Sequence, residues 1–158
     1  MVVVAPGAVS RVLPVPGLVE QGIGLKSVAE AICLRNQVLS RMDAAESTTD
    51  ERTRRRALSF LLVGGGYAGV EALAELEDLA RYACRHYYRT VRREDMRWVL
   101  VEAATGLLPE IGRGLGEYAL ERLRRRGIEV HLNTRLESAV GGRMDLSDGE
   151  SFEADALG

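Results

Sequence analysis

Leu58-Ser59-Phe60-Leu61-Leu62-Val63 is an apolar, strand-like run that feeds directly into Gly64-Gly65-Gly66-Tyr67-Ala68-Gly69-Val70-Glu71, a G-x-G-x-x-G turn opening a helix-forming segment. That order constrains the fold more than any other feature of the chain. Gly64 lets the chain turn sharply off the strand, Gly66 lets backbone approach a ligand without a Cβ in the way, and Gly69 allows close packing of helix on strand. Unpaired N–H groups and the dipole at the start of the helix favour an anion there. Strand, turn and helix together therefore suit the pyrophosphate of a dinucleotide.

A lone G-x-G-x-x-G is a weak signal, so its surroundings carry the argument. A second strand-like run, Arg97-Trp98-Val99-Leu100-Val101-Glu102, ends in an acid. In this arrangement such a carboxylate accepts hydrogen bonds from the adenosine ribose hydroxyls and repels a 2′-phosphate. Glu102 lies 102 − 69 = 33 positions after Gly69, against an expected interval of about 20. The polar stretch Arg85–Asp95, with Tyr87, Tyr88 and four arginines, reads as the extra length between helix and strand.

The rest of the chain extends this unit. Strand 58–63, a helix from about Ala68 to Arg85 and strand 97–102 form a βαβ, with a right-handed crossover. A second helix, Leu115–Arg126, places Leu115, Tyr118, Ala119 and Leu123 on its apolar face and stops at Gly127; the strand Ile128–Leu132 follows. This gives an α/β fold with a Rossmann-like doubly wound parallel sheet (βαβαβ). Leu136–Val140, Arg143–Leu146 and Phe152–Ala156 are short strands separated by Gly141-Gly142 and Asp148-Gly149, which read as an antiparallel β-meander. Upstream, Met1–Ala5 reads as a strand ended by Pro6-Gly7, and Pro14–Gly17 as an extended connector. Ser27 to about Met42 reads as an amphipathic helix with a Ser27/Glu30 capping box. Asp43–Arg56 reads as helix end and solvated linker. The last residues read as the entry to a further strand. A chain that begins and ends in strands looks excised or truncated.

Composition narrows the function classes. The net charge is −2, which argues for neither nucleic acid nor an acidic membrane surface as partner. No run approaches the 18 or more apolar residues of a membrane span, and no charged leader precedes the short apolar start, so the chain reads as cytoplasmic. Cys33 and Cys84 stand 84 − 33 = 51 positions apart and read as small buried apolar residues. His86 and His131 show no carboxylate or cysteine partner in the sequence, and no metal site and no catalytic acid–base set is indicated.

Three stretches together resemble a known family. Gly22-Ile23-Gly24-Leu25-Lys26-Ser27-Val28-Ala29-Glu30-Ala31 with Leu34-Arg35-Asn36 is similar to a G-L-K-[ST]-x-x-[DE]-A-x-x-L-R-N helix; Val63–Glu71 is the second stretch. Leu100–Ala103 followed by Leu107-Leu108-Pro109 is the third, and Leu120 to Thr134 also fits. These resemble the pyridine-nucleotide, FAD-dependent oxidoreductases with two dinucleotide-binding domains, and within them the type II NADH dehydrogenases (NADH:quinone oxidoreductases). The resemblance implies NAD(H) and FAD as cofactors, hydride transfer from NADH to FAD and passage of electrons to a quinone. It implies that Gly64, Gly65, Gly66, Tyr67, Ala68 and Gly69 hold the NADH pyrophosphate, and that Glu102 with Ala103 holds the adenosine ribose. Glu71 would lie toward the nicotinamide, though an acid early in a helix is equally explained by the dipole. Gly7 would lie near the nucleotide part of FAD.

Residues 1–57 are then the end of an FAD domain plus connector and helix, and 58–158 an NADH-binding domain truncated at its C-terminus. The rest of the FAD domain, which would bind most of the flavin, is expected outside this sequence. So is a membrane-associated part that would attach the full-length enzyme to the cytoplasmic face of the cell membrane. The resemblance leaves a homodimer open. Two other readings compete: a segment of a soluble disulfide or ferredoxin reductase of the same superfamily, and a catalytically inactive NADH-binding remnant or module. This chain alone is expected to lack NADH:quinone activity.

Overall fold

The computed structural model describes residues 14–18, 22–154 and 156–157. The strand and Pro6-Gly7 stop expected at the start of the chain, Gly7 included, lie outside these residues. In chain order the elements are α1 (Val28–Ser47), α2 (Glu51–Ala57), β1 (Ser59–Val63), α3 (Tyr67–His86), β2 (Arg97–Val101), α4 (Arg113–Arg125), β3 (Glu129–His131), β4 (Leu136–Ser138), β5 (Arg143–Leu146), β6 (Ser151–Glu153) and β7 (Ala156–Leu157). Short three-ten turns occupy Arg93–Asp95 and Val140–Gly142.

Strands β3-β2-β1-β7 form one sheet in that order, and every pairing is parallel. Strands β4-β5-β6 form a separate antiparallel sheet. The Rossmann-like parallel sheet and the meander are thus both present, and the chain re-enters the parallel sheet at β7 beside β1. Alternation along β1 and β2 explains how the two sheets relate. Phe60, Leu62, Trp98 and Leu100 face a core shared with α1, α3 and α4, and Phe60 stacks on Trp98 with centroids 4.4 Å apart. Leu61, Val99 and Val101 point the other way, into a second core with Leu136, Ala139, Met144, Leu146 and Ala154. A parallel sheet needs both faces covered; here helices cover one and the meander covers the other.

The helices differ from expectation in three places. α1 carries the Ser27/Glu30 capping box, with Ser27 Oγ accepting from Glu30 N at 3.1 Å and Glu30 Oε2 accepting from Ser27 N at 2.8 Å. It continues five residues past Met42, because Leu34, Val38, Met42 and Ala45 extend one buried stripe. Residues 51–57, expected as solvated linker, form α2: Asp50 is its N-cap and accepts from Thr53 N at 2.8 Å. Arg54 in α2 reaches the carbonyls of Ala45 (3.0 Å) and Thr90 (2.5 Å) and pairs with Asp95 (3.1 Å), so this run is not simply a solvated face. On α4, Leu115 and Tyr118 are more than half exposed, while Gly116 and Leu123 are buried. Gly116 decides that orientation, since a Cβ there would lie 2.2 Å from the carbonyl oxygen of Leu107. Cys33 is exposed and Cys84 half-buried, so the expectation of two buried thiols fails for Cys33.

Candidate dinucleotide site

The site grows out of the carboxyl end of β1. Gly64 N donates to Val101 O (2.8 Å), which holds the start of the turn against β2. Gly64 has φ +111°, a backbone conformation that an L side chain would strain. Gly69, in the first turn of α3, packs so closely that a Cβ would stand 2.1 Å from the Gly64 carbonyl oxygen. That contact is the close helix–strand approach expected of the third glycine. Gly66 caps α3 without a side-chain hydrogen bond, and no acid occupies the first turn. Among the described residues no side chain accepts from the first amides of this 20-residue helix, and Tyr67 and Ala68 are exposed. This is donor geometry suited to an anion.

Glu102, directly after β2, meets this turn. Its Oε2 accepts from Gly65 N in a short hydrogen bond, and its Oε1 accepts from Ala104 N at 2.6 Å. Its own backbone is tied to the next strand, N to His131 O at 2.9 Å and O to Thr134 N at 3.0 Å. An ionised carboxylate offers about four lone-pair positions, and these two amides use two. The remaining two suit a pair of vicinal hydroxyls, while a 2′-phosphate would meet like charge.

The structure therefore brings Gly64, Gly65, Gly66, Tyr67, Ala68, Gly69 and Glu102 to one place. Ala103 is exposed immediately beyond Glu102. Glu71 is exposed about one turn into α3, and no hydrogen bond or ion pair of its side chain is found among the described residues. The 33-residue interval is absorbed as expected: α3 runs to His86, and loop and three-ten turn fill the gap to Arg97.

Sequence reasoning missed the roof of the turn. Leu108 N donates to Gly65 O at 2.8 Å, and a Cβ at Gly65 would lie 2.5 Å from Leu107 Cδ2. Leu108 itself sits at φ +52°, uncommon for a branched apolar residue. Glu110 was also missed. Its Oε1 would lie 3.3 Å from a Cβ on Gly66, which places a carboxylate close to the α3 N-terminus. The Leu107-Leu108-Pro109 run was the available signal, without an assigned role.

His131 also departs from expectation, because it has carboxylate partners. Its Nδ1 lies 2.8 Å from Asp148 Oδ2, and its Nε2 lies 3.9 Å from Glu129 and 3.7 Å from Glu150. Arg97 binds the same two glutamates, Glu129 bidentately at 2.9 and 2.6 Å and Glu150 at 2.6 Å. Hydrogen bonding to Arg97 holds the Glu129 carboxyl below its usual range. The Glu150 backbone N–H, helped by His131, does the same for Asp148. Through Arg97 and His131 the cluster joins β2 and β3 to the meander.

A parallel sheet with a G-x-G-x-x-G turn at one strand end, a helix N-terminus beside it and a carboxylate directly after the neighbouring strand is a Rossmann-like arrangement. Comparison with known proteins narrows this. Residues 1–157 match the pyridine nucleotide-disulphide oxidoreductase family, and the chain belongs to that family. Within it the chain is 37% identical over 110 residues to a type II NADH:quinone oxidoreductase of Mycobacterium tuberculosis, covering 70% of this chain and 23% of that protein. A second type II NADH:quinone oxidoreductase of the same organism is 30% identical over 148 residues, covering 94% of this chain and 32% of the relative. This chain thus spans only 23% and 32% of those two relatives' own length. The NDH2 of Plasmodium falciparum, solved in complex with NADH, shares the fold with TM-score 0.87 at 18% identity, over 96% of this chain and 32% of that one.

Proposed function

We propose that this chain is the NADH-binding portion of an FAD-dependent NADH dehydrogenase that passes electrons to a quinone. The observation that carries the reading is the Glu102 carboxylate, clamped by Gly65 N and Ala104 N at the lip of the glycine turn. The same reading makes residues 58–158 the NADH-binding domain and 1–57 the end of an FAD domain with its connector. It also places the working enzyme at the cytoplasmic face of a membrane. No helix among the described residues is long and apolar enough to cross one.

NADH, when bound, supplies a hydride; the residues here bind and orient it. The α3 amides at Tyr67, Ala68 and Gly69 take the pyrophosphate, and the absence of a Cβ at Gly66 leaves room for it. Glu102 takes the adenosine ribose hydroxyls, and Glu71 lies along α3 toward the nicotinamide. Flavin and quinone would be bound by portions outside this sequence, so the chain alone is expected to show no NADH:quinone activity.

Calorimetric titration with NADH and NADPH, repeated on Glu102→Ala, tests the reading. Two hydrogen bonds to a charged acceptor are worth about 1.5 kcal/mol or more each, so the variant should bind NADH at least roughly tenfold more weakly. Wild-type protein should prefer NADH over NADPH. Unchanged NADH affinity in a folded Glu102→Ala variant would refute the assignment.

A further inference from the structure

The arginine-rich stretch that lengthens the path from α3 to β2 is not used by the dinucleotide site. From Arg81 to Arg93 the chain carries five arginines and no acid, in a protein of net charge −2. The fold gathers this charge around a cleft of about 290 Å³. Arg81, Arg85, Arg89, Arg92 and Arg93 line it, with one acid, Glu94. Two of the guanidiniums are already engaged: Arg81 pairs with Asp78, and Arg93 lies 3.3 Å from Glu77 and 2.6 Å from the Arg126 carbonyl. The side chains of Arg85, Arg89 and Arg92 are exposed and have no carboxylate partner among the described residues.

The loop that presents Arg89 and Arg92 is anchored from beneath. The Glu46 carboxylate on α1 accepts from the backbone N–H groups of Arg89 (2.9 Å), Thr90 (3.0 Å) and Val91 (2.9 Å) and from the Thr90 hydroxyl (2.8 Å). Arg54 holds the Thr90 carbonyl. The Tyr88 hydroxyl donates to Asp43 at 2.7 Å, which fixes one wall of the cleft. Two α1 acids and one α2 arginine are thus committed to a loop that exposes Arg89, Arg92 and Arg93, with Glu94 the one acid lining the cleft. Fixed concave walls and planar guanidiniums match the geometry of phosphate oxygens, which arginine binds in bidentate fashion. Beside the cleft, Tyr82, His86 and Tyr87 form an exposed aromatic cluster, with Tyr82 and His86 stacked at 4.1 Å.

We propose that the cleft between the last turn of α3 and the loop 87–94 is a second anion site, for the phosphate group of a soluble ester or of a lipid headgroup. It lies at the opposite end of α3 from the glycine turn, about 30 Å away for a helix of this length. The two sites can therefore be distinguished residue by residue.

The test is an amide NMR titration of the ¹⁵N-labelled chain with inorganic pyrophosphate, alongside co-sedimentation with phosphatidylcholine vesicles with and without phosphatidylglycerol. Shifts centred on residues 84–93, saturating apart from any at residues 64–69 and weakening as salt is raised, are expected. Arg85→Gln/Arg89→Gln/Arg92→Gln should weaken the 84–93 response at least about tenfold, in line with loss of several charge-assisted hydrogen bonds. It should leave any response at 64–69 unchanged. Vesicle binding that requires phosphatidylglycerol and is lost in the same variant, without a pyrophosphate response, would assign the site to a headgroup. Shifts confined to 64–69 in the wild-type chain, together with vesicle binding indifferent to the triple variant, would overturn the proposal. The wild-type map also decides the soluble arm if the triple variant fails to fold, with Arg89→Gln alone as the milder substitution for the vesicle arm.

Discussion

Replacing Glu77 by glutamine removes a charge that the fold has enclosed among cations. Glu77 is 2% exposed, in the middle of α3. Its Oε2 accepts from both Arg126 Nε (2.8 Å) and Arg126 Nη2, and its Oε1 lies 3.3 Å from Arg93 Nε. Arg126 also donates to the Ala74 carbonyl at 2.8 Å, so this one guanidinium fastens the end of α4 to the side of α3. Glutamine keeps the shape but turns an NH₂ donor toward donors. Breaking a fully buried pair costs about 3–5 kcal/mol. Here the side chains of Arg126 and Arg93 remain 24% and 42% exposed, and Asp78 stays 3.0 Å from Arg126. Solvent and Asp78 therefore offset part of the loss, and the expected destabilisation is about 2 kcal/mol. Urea unfolding followed by circular dichroism measures it, with Arg126→Met and the double variant completing a thermodynamic cycle. The two single changes should be strongly non-additive. A loss below about 0.5 kcal/mol, or additive effects, would refute the view that this pair carries the α3–α4 contact.

Two further outcomes are expected. Gly69→Ala must move the Gly64 carbonyl out of a 2.1 Å contact; it should lower stability by roughly 1–3 kcal/mol and weaken NADH binding, and wild-type values for both in urea unfolding and calorimetry would count against the close-approach role. The amides of Arg89, Thr90 and Val91 and the Thr90 hydroxyl hold the Glu46 carboxyl down from 4.5 to about 2. A depressed carboxyl stabilises the fold above its unfolded pKa, and that stability disappears as pH falls from about 4.5 toward 2. Glu46→Gln should therefore melt lower than wild type at pH 7, with the difference in Tm narrowing through that window; a difference independent of pH would exclude the linkage.

What the sequence revealed and what it hid divide along contact range. The strand–turn–helix at 58–71 and the acid ending β2 are local patterns, so both could be read directly, even with a 33-residue interval between Gly69 and Glu102. The meander announced itself through its turn glycines, of which Gly141, Gly142 and Gly149 all have positive φ. α2 was hidden by its charge, although Asp50 and Thr53 carry its cap signal. The apolar residues of α4 do not mark its buried face: Gly116, with no side chain, is the residue that meets the Leu107 backbone. The side-chain partners of Glu46, Glu77 and His131 are not legible in the sequence. Their partners lie 43–45, 49 and 17 positions away, and no local periodicity reports such pairings.

The position of β7 bears on the order in which the sheet can assemble. Phe60 pairs with Trp98 in β2 and with Ala156 in β7, so β1 closes chain loops of 98 − 60 = 38 and 156 − 60 = 96 residues. Loop closure grows as (3/2)RT ln n, so the longer ring costs about 0.8 kcal/mol more in chain entropy. It is rewarded by only two paired positions against five. The β1–α3–β2 unit is thus the cheaper nucleus, and β7 can dock once the meander has spanned the distance. The glycine turn lies wholly within that early unit, so its shape does not depend on the last strand.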